Sequence, residues 1–316
     1  MAAALIAYGS NLGDSVAILQ MAFERLSEIP GLSIVRQSRP LVTRPVGGPA
    51  GQPPFVNGAW RLETSLSPQQ LHACLCRVET ELGRQRRERW AARLIDLDLL
   101  LYDDFVLRSS ALTIPHPRMA FRRFVLEPAA EVGGDWLHPV IGWTVQKLLD
   151  HLDQATDYLA LTGVSGCGKT ELATRTAQAV GAMLMVDPAS PHTDPRWPQA
   201  DDDESAILSR RAECLQAVPW DGGSWVVSDF WMGQSFAYAR GEEAAERLAP
   251  LWERLVAQVV PPKLLVWIDK ASSDPATRTG WQTTLDRYHQ GPRLELSADQ
   301  PDWALHELTA AIQAMK

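Results

Sequence analysis

The chain has 316 residues, which is long enough for two ordinary domains and too long for one small core. Its composition, 46% hydrophobic and 22% charged, is typical of a globular protein, and its net charge of −8 argues against general nucleic-acid binding. No apolar stretch approaches the roughly 18 residues that a membrane helix needs, and the apolar N-terminal stretch lacks the basic segment of a signal peptide. We therefore expect a cytoplasmic protein without nucleic-acid or membrane partners, whose four cysteines are reduced thiols.

Strand and helix patterns alternate along the first half of the chain. Asp14 is placed to cap the first helix, and Ser67 and Pro68 start the second. A long loop rich in proline and glycine separates the second and third strands, which is typical of a binding loop. The predicted elements are strands at 3–8 (ending at Gly9), 32–42, 56–64 and 94–102, and helices from 14 to about 26, from 67 to about 83 and around 144–152.

The second half shows the same alternation, which predicts a parallel, doubly wound sheet. An acidic run at 201–204 fits the start of a helix, because carboxylates favour the positive end of the helix dipole. The predicted strands lie at 158–162, 183–187, 225–229, 263–269 and 293–296.

Two aspartates stand in the strand predicted at 94–102. Because residues i and i+2 of a strand point to the same side, Asp96 and Asp98 face one spot, while Leu97 and Leu99 face the opposite layer. Two adjacent buried negative charges need compensation, and magnesium supplies it, since it binds a few carboxylates together with phosphate oxygens of a substrate. The alternative is a solvated pair on an edge strand.

The basic residues of the first half are almost all arginines, with Lys147 as the single lysine up to residue 158. Arginine is a planar, bidentate donor that suits phosphate groups, and phosphoryl transfer needs cations that face the developing charge. Five arginines fall within ten positions, namely Arg84, Arg86, Arg87, Arg89 and Arg93. A second basic segment carries His116, Arg118, Arg122 and Arg123 beside Phe124.

Over about residues 3–150 the chain resembles the 6-hydroxymethyl-7,8-dihydropterin pyrophosphokinases in the order and spacing of several long motifs. These motifs are YGSNLGD, TRPVGG…QPPFVN, GRQRRERWAARLIDLDLLLY and PHPRMAFRRFVLEP. The resemblance implies a ferredoxin-like α/β sandwich whose loops close over ATP and a pterin. Ala91 and Ala92 depart from the Gly-Pro that is common there, and the arginine loop is about one residue shorter than in some members. Neither departure removes a charged group.

The resemblance also implies roles for individual residues. Asp96 and Asp98 would hold two magnesium ions that bridge the ATP phosphates, and Glu79 stands at the position of a family carboxylate. The residues expected at the phosphates are Arg84 and Arg93, which would stabilise the transferring group, with Arg86, His116 and Arg122. The residues expected at the pterin are Phe55 and Phe124 on its faces, Thr43 and Asn57 at its edge, and Trp90 on the closing loop. Taken singly, these aromatic residues also fit ordinary core positions.

The second half opens on GVSGCGKT at 163–170, which satisfies G-x-x-x-x-G-K-[ST] and lies between a predicted strand and a predicted helix. Lys169 would reach the β- and γ-phosphates of ATP, and Thr170 would help to hold magnesium. The glycines that let backbone N–H groups surround the phosphates are Gly163, Gly166 and Gly168. The alternative is a glycine-rich helix start that binds no ligand.

Residues 158–316 also resemble deoxynucleoside kinases, particularly bacterial deoxyadenosine/deoxyguanosine kinases, through MVDPASP and WVVSDFWMGQSFAYA. The resemblance places Asp187 at the family's acidic base, which would accept the proton of the sugar hydroxyl. Asp229 lies at the family's acidic/arginine motif, without the usual arginine beside it. The arginine-rich lid of the family is reduced to Arg278, with Lys270 nearby, so cations that should stabilise the transfer are missing.

We therefore predict an α/β protein of two domains: a pterin pyrophosphokinase domain at 1–156 with a ferredoxin-like sandwich, and a P-loop domain at 157–316 with a doubly wound parallel sheet. The first is expected to transfer pyrophosphate from ATP to 6-hydroxymethyl-7,8-dihydropterin in folate biosynthesis and to release AMP. Its alternative is a non-catalytic nucleotide-binding regulator. The second is expected to bind ATP and either to phosphorylate a deoxynucleoside or to serve as a non-catalytic nucleotide-binding or structural module.

Overall fold

The computed structural model describes residues 1–84, 92–189, 204–218, 220, 223–239 and 242–316, which form two compact units. One unit comprises Met1–Asp153 with Ala310–Lys316, and the other comprises Gln154–Thr309. Residues Ala310–Lys316 are part of the first unit, although the domain predicted from the sequence at 157–316 includes them. None of the helices in the described ranges is long and apolar enough to cross a membrane.

The first unit is built on an antiparallel sheet whose strands follow the order β2-β4-β1-β5, with β3 also paired to β4. These strands are β1 (Ala2–Ser10), β2 (Leu32–Gln37), β3 (Leu41–Thr43), β4 (Phe55–Thr64) and β5 (Asp96–Tyr102). A two-stranded sheet joins β6 (Leu107–Arg108) and β7 (Thr113–Ile114). The helices are α1 (Ser15–Ser27), α2 (Pro68–Glu81), α3 (Arg123–Gly133) and α4 (Val145–Gln154), with a 3-10 turn at Met119–Phe121.

The single strand predicted at 32–42 is divided in the structure into β2 and β3, which pair with successive parts of β4. Since β1 pairs with β4 along its whole length, β2 and β3 share the other edge of β4. Pro40 lies in the gap and has no N–H to give to a ladder. The buried Ser38 continues the pairing, because its Oγ accepts a hydrogen bond from the amide of Ala59 at 2.9 Å.

The predicted cap at Asp14 and the predicted helix start at Ser67 are both confirmed. Asp14 Oδ1 accepts a hydrogen bond from the amide of Ala17 at 3.1 Å, and Ser67 forms a reciprocal capping box with Gln70. The first strand is predicted to stop at Gly9, and this prediction is wrong by one residue, because β1 continues through Gly9 to Ser10.

The two faces of the antiparallel sheet have different neighbours. Leu97 and Leu99 of β5 lie in the core that α1 and α2 form against the sheet, as the alternation in the sequence predicts. Asp96 and Asp98 alternate with these leucines and project from the other face. There they line a cavity together with Val125 of α3.

The second unit contains a five-stranded parallel sheet in the order β12-β11-β8-β10-β9, so the predicted parallel arrangement is confirmed. Its strands are β8 (Tyr158–Gly163), β9 (Met183–Met185), β10 (Val226–Ser228), β11 (Leu264–Asp269) and β12 (Arg293–Ser297). Its helices are α5 (Lys169–Val180), α6 (Glu204–Gln216), α7 (Gln234–Tyr238), α8 (Glu242–Val256) and α9 (Pro275–Tyr288). The last helix, α10 (Pro301–Met315), begins in this unit and ends in the residues that group with the first. The chain is therefore a mixed α/β protein with one antiparallel and one parallel sheet.

Candidate functional site

A cavity of about 750 Å3, part of it open to solvent, lies on the face of the antiparallel sheet that carries the aspartates. It brings together most of the described residues that the sequence predicts at the site, namely Thr43, Phe55, Asn57, Arg93, Asp96, Asp98, Arg122 and Phe124. Arg86 and Trp90, which are also predicted there, lie outside the described residues. Sequence reasoning did not assign Arg44, Val46 and Gln52, which also line the cavity, although they stand in the proline- and glycine-rich motif that marked a binding loop.

Small residues of β1 form the floor of the cavity. Gly9 pairs with Asn57 of β4 on one side and with Asp96 of β5 on the other, and Ala7 pairs with Asp98. A Cβ atom at Gly9 would lie 2.9 Å from Asn57 Oδ1, so a side chain there would displace the amide. The glycine thus allows polar side chains from two separate strands to meet in one space.

One end of the cavity combines aromatic rings with a hydrogen-bonding edge. Asn57 Nδ2 donates to Thr43 Oγ1 at 2.8 Å, and Thr43 pairs with Phe55 in the β3–β4 ladder. Phe124, in the first turn of α3, lines the same cavity. Two aromatic side chains beside an amide and a hydroxyl suit a flat ring with polar edges.

The other end is charged. Asp96 is bound by two guanidinium groups: Arg84 Nη1 lies 2.8 Å from its Oδ1, and Arg93 Nη1 donates to its Oδ2. Burial and the neighbouring charge of Asp98 nevertheless raise the pKa of Asp96. The Arg122 guanidinium lies 5.7 Å from the centre of the Phe124 ring, where the aromatic and charged ends of the cavity meet.

Glu79 lies below the charged end and is only 4% exposed. Its Oε1 accepts hydrogen bonds from the Arg84 guanidinium and, at 2.7 Å, from the amide of Leu97 between the two aspartates. Burial raises the pKa of Glu79 to about 7, because its effect outweighs the opposite effect of the positive charge on the nearby Arg84. The carboxyl group therefore links Arg84 to the strand that carries Asp96 and Asp98.

His116 is held in one tautomer by the backbone. Its Nδ1 accepts a hydrogen bond from the amide of Arg118 at 3.2 Å, so the neutral ring carries its proton on Nε2. Burial, with the positive charges of Arg122 and Arg118, lowers the pKa of His116 to about 3. The Nε2 atom lies 3.9 Å from Asp98 Oδ2 and can donate to an oxygen of a bound phosphate.

The carboxylates of the cavity fit magnesium as the pair Asp96 and Asp98. Within the described ranges, no group of three or more His, Cys, Asp or Glu is arranged to hold a metal ion. Asp96 and Asp98 offer two carboxylates, and magnesium commonly takes one or two of these together with water and substrate phosphate oxygens. Because both oxygens of Asp96 are engaged by arginines in the structure, a cation there must share or replace those guanidinium groups.

In the second unit, β8 leads through a glycine loop into α5. Gly166 and Gly168 have φ of +72° and +83°, a backbone region that favours glycine, and Gly168 precedes the first residue of the helix. Lys169 Nζ donates to the carbonyl groups of Gly163 at 2.8 Å and Val164 at 2.9 Å, so it folds back over the loop. Burial lowers the pKa of Lys169.

A network of buried polar groups adjoins this loop. Thr170 Oγ1 donates to Asp229 Oδ2, and Asp229 Oδ1 accepts from the amide of Asp187 at 2.6 Å. Burial raises the pKa of Asp229. Thr170 and Asp229 therefore offer two neighbouring oxygen donors at the end of the loop.

The carboxylate of Asp187 is fully engaged inside the fold. It accepts from Arg211 Nη2 at 2.7 Å and from Gln234 Nε2 at 3.0 Å, and Arg211 Nη1 donates to Ser235 Oγ at 2.7 Å. A general base must present a lone pair to its substrate, so a base at Asp187 requires one of these bonds to open. Sequence reasoning missed Arg211, although it falls on the apolar stripe that α6 buries.

Arg278, the single arginine of the expected lid, is also paired. Its Nη2 lies 2.9 Å from Asp269 Oδ2, and its Nε donates to Asp269 Oδ1 at 3.2 Å. Its charge is thus balanced within the unit rather than presented to a ligand.

A family model described as 7,8-dihydro-6-hydroxymethylpterin-pyrophosphokinase matches residues 5–134. The chain is 38% identical over 168 residues to the 2-amino-4-hydroxy-6-hydroxymethyldihydropteridine pyrophosphokinase of Synechocystis sp., covering 53% of this chain and 85% of that protein. It is 39% identical over 154 residues to the protein of the same name from Haemophilus influenzae, covering 48% of this chain and 96% of that protein.

Among solved structures, a thymidylate kinase from Ehrlichia chaffeensis is 16% identical, with 51% of this chain and 100% of that chain covered and a TM-score of 0.40. This structural similarity is too distant to indicate a fold or a function. The two sequence relatives, in contrast, are covered over most of their length at more than 30% identity. Through residues 5–134, which include all the described residues that line the cavity, the chain belongs to the 7,8-dihydro-6-hydroxymethylpterin-pyrophosphokinase family.

Proposed function

We propose that the first unit transfers the pyrophosphoryl group of ATP to the hydroxymethyl oxygen of 6-hydroxymethyl-7,8-dihydropterin and releases AMP. Membership of the family supports this, and the observation that carries it is one cavity with aromatic and amide groups at one end and aspartates with arginines at the other. The alternative hypothesis from the sequence is a regulator that only binds nucleotide. Such a protein would not need the aromatic end of the cavity.

The aromatic end fits the pterin. Phe55 and Phe124 would hold the faces of the ring, while Asn57 and Thr43 would bond its polar edge. The amide of Asn57 already donates to Thr43, so its Oδ1 remains directed to the cavity side, near Gly9. This placement would bring the hydroxymethyl group of the pterin towards the charged end.

The charged end fits the triphosphate. Magnesium ions held by Asp96 and Asp98 would neutralise part of the charge of ATP when bound. Arg84 and Arg93 would pass from Asp96 to phosphate oxygens, where they stabilise the charge that develops as the hydroxyl oxygen attacks the β-phosphorus. His116, neutral and with its proton on Nε2, would donate a hydrogen bond to the same phosphates. AMP leaves with the α,β-bridging oxygen when the bond from that oxygen to the β-phosphorus breaks, and the proton of the attacking hydroxyl passes to solvent water.

For the second unit we infer that the glycine loop binds the phosphates of ATP, with Lys169 and Thr170 as its side-chain donors and with Asp229 beside Thr170 at the magnesium. Phosphorylation of a deoxynucleoside with Asp187 as base is the accompanying proposal. Two observations favour a slow reaction or a non-catalytic module instead. Asp187 is bound to Arg211, and Arg278 is bound to Asp269, so the base and the cation that the transfer needs are already paired.

Replacing Asp98 by asparagine is expected to lower kcat for pyrophosphoryl transfer by at least about 100-fold, because it removes a magnesium ligand beside the reacting phosphate. Thermal stability should not fall, because the substitution relieves repulsion between Asp98 and Asp96. The measurement is AMP formation from ATP and 6-hydroxymethyl-7,8-dihydropterin with magnesium, alongside thermal unfolding of the same preparations.

The matched control is Asp104→Asn, an exposed aspartate beyond the end of β5 that should keep the wild-type rate. A parallel loss of activity and melting temperature in Asp98→Asn would indicate a structural role for this residue. Wild-type AMP formation at background level would refute the proposed function itself.

The raised pKa of Glu79 predicts how stability depends on pH. The folded protein binds the Glu79 proton more tightly than the unfolded chain does, so this residue lowers the free energy of unfolding as pH rises from about 4.5 to about 7. A shift of this size corresponds to roughly 3 kcal/mol. In Glu79→Gln this loss should disappear, as measured by denaturant unfolding across the pH range.

Both proteins retain His116, whose lowered pKa acts in the opposite direction, so the difference between them isolates Glu79. Glu81→Gln, at the exposed end of the same helix, is the control and should follow the wild type. Equal pH dependence of Glu79→Gln and wild type would contradict the raised pKa.

Replacing Lys169 by alanine is expected to abolish ATP binding by the second unit and to leave pterin turnover unchanged, because the residue lies at the glycine loop. Calorimetric titration of the full chain with ATP and magnesium should show two sites in the wild type and one in the variant. Labelled ATP with a panel of deoxynucleosides then measures any phosphorylation.

Arg175→Ala, which removes a cation from the same helix where it pairs with Asp302, is the matched control and should keep both sites. A single ATP site in the wild type would refute nucleotide binding by the second unit. Two sites without phosphorylation of any nucleoside would support the non-catalytic module.

A further inference from the structure

Asn11 follows β1 and is only 2% exposed, and it does not itself line the cavity. Its backbone amide donates to the carbonyl of Arg93 at 3.0 Å, and its side-chain Oδ1 accepts from the amide of Arg93 at 2.7 Å. One residue therefore fixes both backbone groups of Arg93, whose guanidinium binds Asp96 in the charged end of the cavity.

The other half of the same side-chain amide reaches the loop between β3 and β4. Asn11 Nδ2 donates to the carbonyl of Pro53 at 3.2 Å and to Gln52 Oε1 at 3.4 Å. Gln52 lines the cavity, and Phe55 begins β4 two residues after Pro53. The donor and acceptor atoms of one amide thus connect Arg93, at the charged end of the cavity, with the loop that leads to Phe55 at the aromatic end.

The neighbouring Ser10 shows that this connection is a property of Asn11 and not of the segment. Ser10 is equally buried, but its Oγ donates to a local group, Ser15 Oγ, at 2.9 Å, at the start of α1. Asn11 instead has its partners at residue 93, whose side chain lies at the charged end of the cavity, and at residues 52 and 53, in the loop that leads to Phe55.

We propose that Asn11 is a positioning residue for pyrophosphoryl transfer, which sets the distance between Arg93 at the phosphates and the loop that leads to Phe55 at the pterin. The proposal rests on the proposed function of the first unit. Transfer requires the hydroxymethyl oxygen and the β-phosphorus to meet in a narrow range of distance and angle, and a misplacement of about 1 Å can cost about 100-fold in rate. Asn11 acts on that geometry through its neighbours, without touching either substrate.

The test compares Asn11→Ala and Asn11→Asp with the matched control Ser10→Ala. In Asn11→Ala, kcat per folded molecule should fall about 100-fold, since both ends of the cavity are released. Separate titrations with 6-hydroxymethylpterin and with the α,β-methylene analogue of ATP, the latter in proteins that also carry Lys169→Ala so that the first unit alone is measured, should show both affinities weakened. Ser10→Ala should keep the wild-type constants, because its partner lies outside the cavity.

Asn11→Asp has the same shape and keeps the acceptor for the Arg93 amide, but it turns the contact with the Pro53 carbonyl from attraction to repulsion. We expect it to weaken binding of 6-hydroxymethylpterin about tenfold, which corresponds to about 1.4 kcal/mol. This probe carries no phosphate, so the added charge does not act on it directly. If Asn11→Ala does not fold, the affinity of Asn11→Asp for 6-hydroxymethylpterin tests the proposal.

Three outcomes are distinguishable. Weakened pterin binding and a reduced kcat in folded Asn11 variants support the proposal. Constants equal to those of Ser10→Ala, with at most a lower melting temperature, overturn it and make Asn11 structural only. Absence of AMP formation by the wild type refutes the proposed function, and in that case the pterin and nucleotide titrations of Asn11→Asp still decide whether Asn11 sets the geometry of the cavity.

Discussion

The site in the first unit depends on one electrostatic constraint: two like charges, Asp96 and Asp98, project from the same face of a strand into a half-enclosed cavity. Their repulsion and burial are unfavourable unless cations compensate them, and in the structure Arg84 and Arg93 do so at Asp96. The remaining architecture serves to hold these charges together. Glu79 anchors both Arg84 and the strand backbone, and the small residues of β1 leave the space that the charges face.

Several of these features could be predicted from the sequence because they follow from local rules. The period of two in IDLDLLL places aspartates and leucines on opposite faces, and the structure confirms it. The cap at Asp14 and the helix start at Ser67 follow from residue type and position. Strand–helix alternation indicated the parallel sheet of the second unit, since such units need crossover helices.

The remainder depends on contacts between residues far apart in the chain, which no local pattern encodes. The bonds from Asn11 to residue 93 and to residues 52 and 53 span most of the first unit, and the ion pair of Asp187 with Arg211 joins a strand end to a helix. The raised pKa of Glu79 arises from burial that exists only after folding. The division of the strand at 32–42 had a local signal in Pro40, but that signal alone does not show that both pieces pair with one partner.

The charged groups of the two units differ in exposure and in hydrogen bonding, and these differences affect the chemistry that each unit can carry out. In the first, the side chains of Arg84, Arg93 and Asp96 are 20%, 31% and 21% exposed, so these ion pairs are open to exchange with incoming charged groups. In the second, the Arg211 side chain is 4% exposed and Asp187 11%, and their pair is further bonded to Gln234 and Ser235. Removing one partner from such a pair leaves an uncompensated buried charge, which is strongly unfavourable. An exchangeable pair can serve chemistry, whereas a closed network keeps its groups from a substrate, so transfer chemistry is better supported by the first unit than by the second.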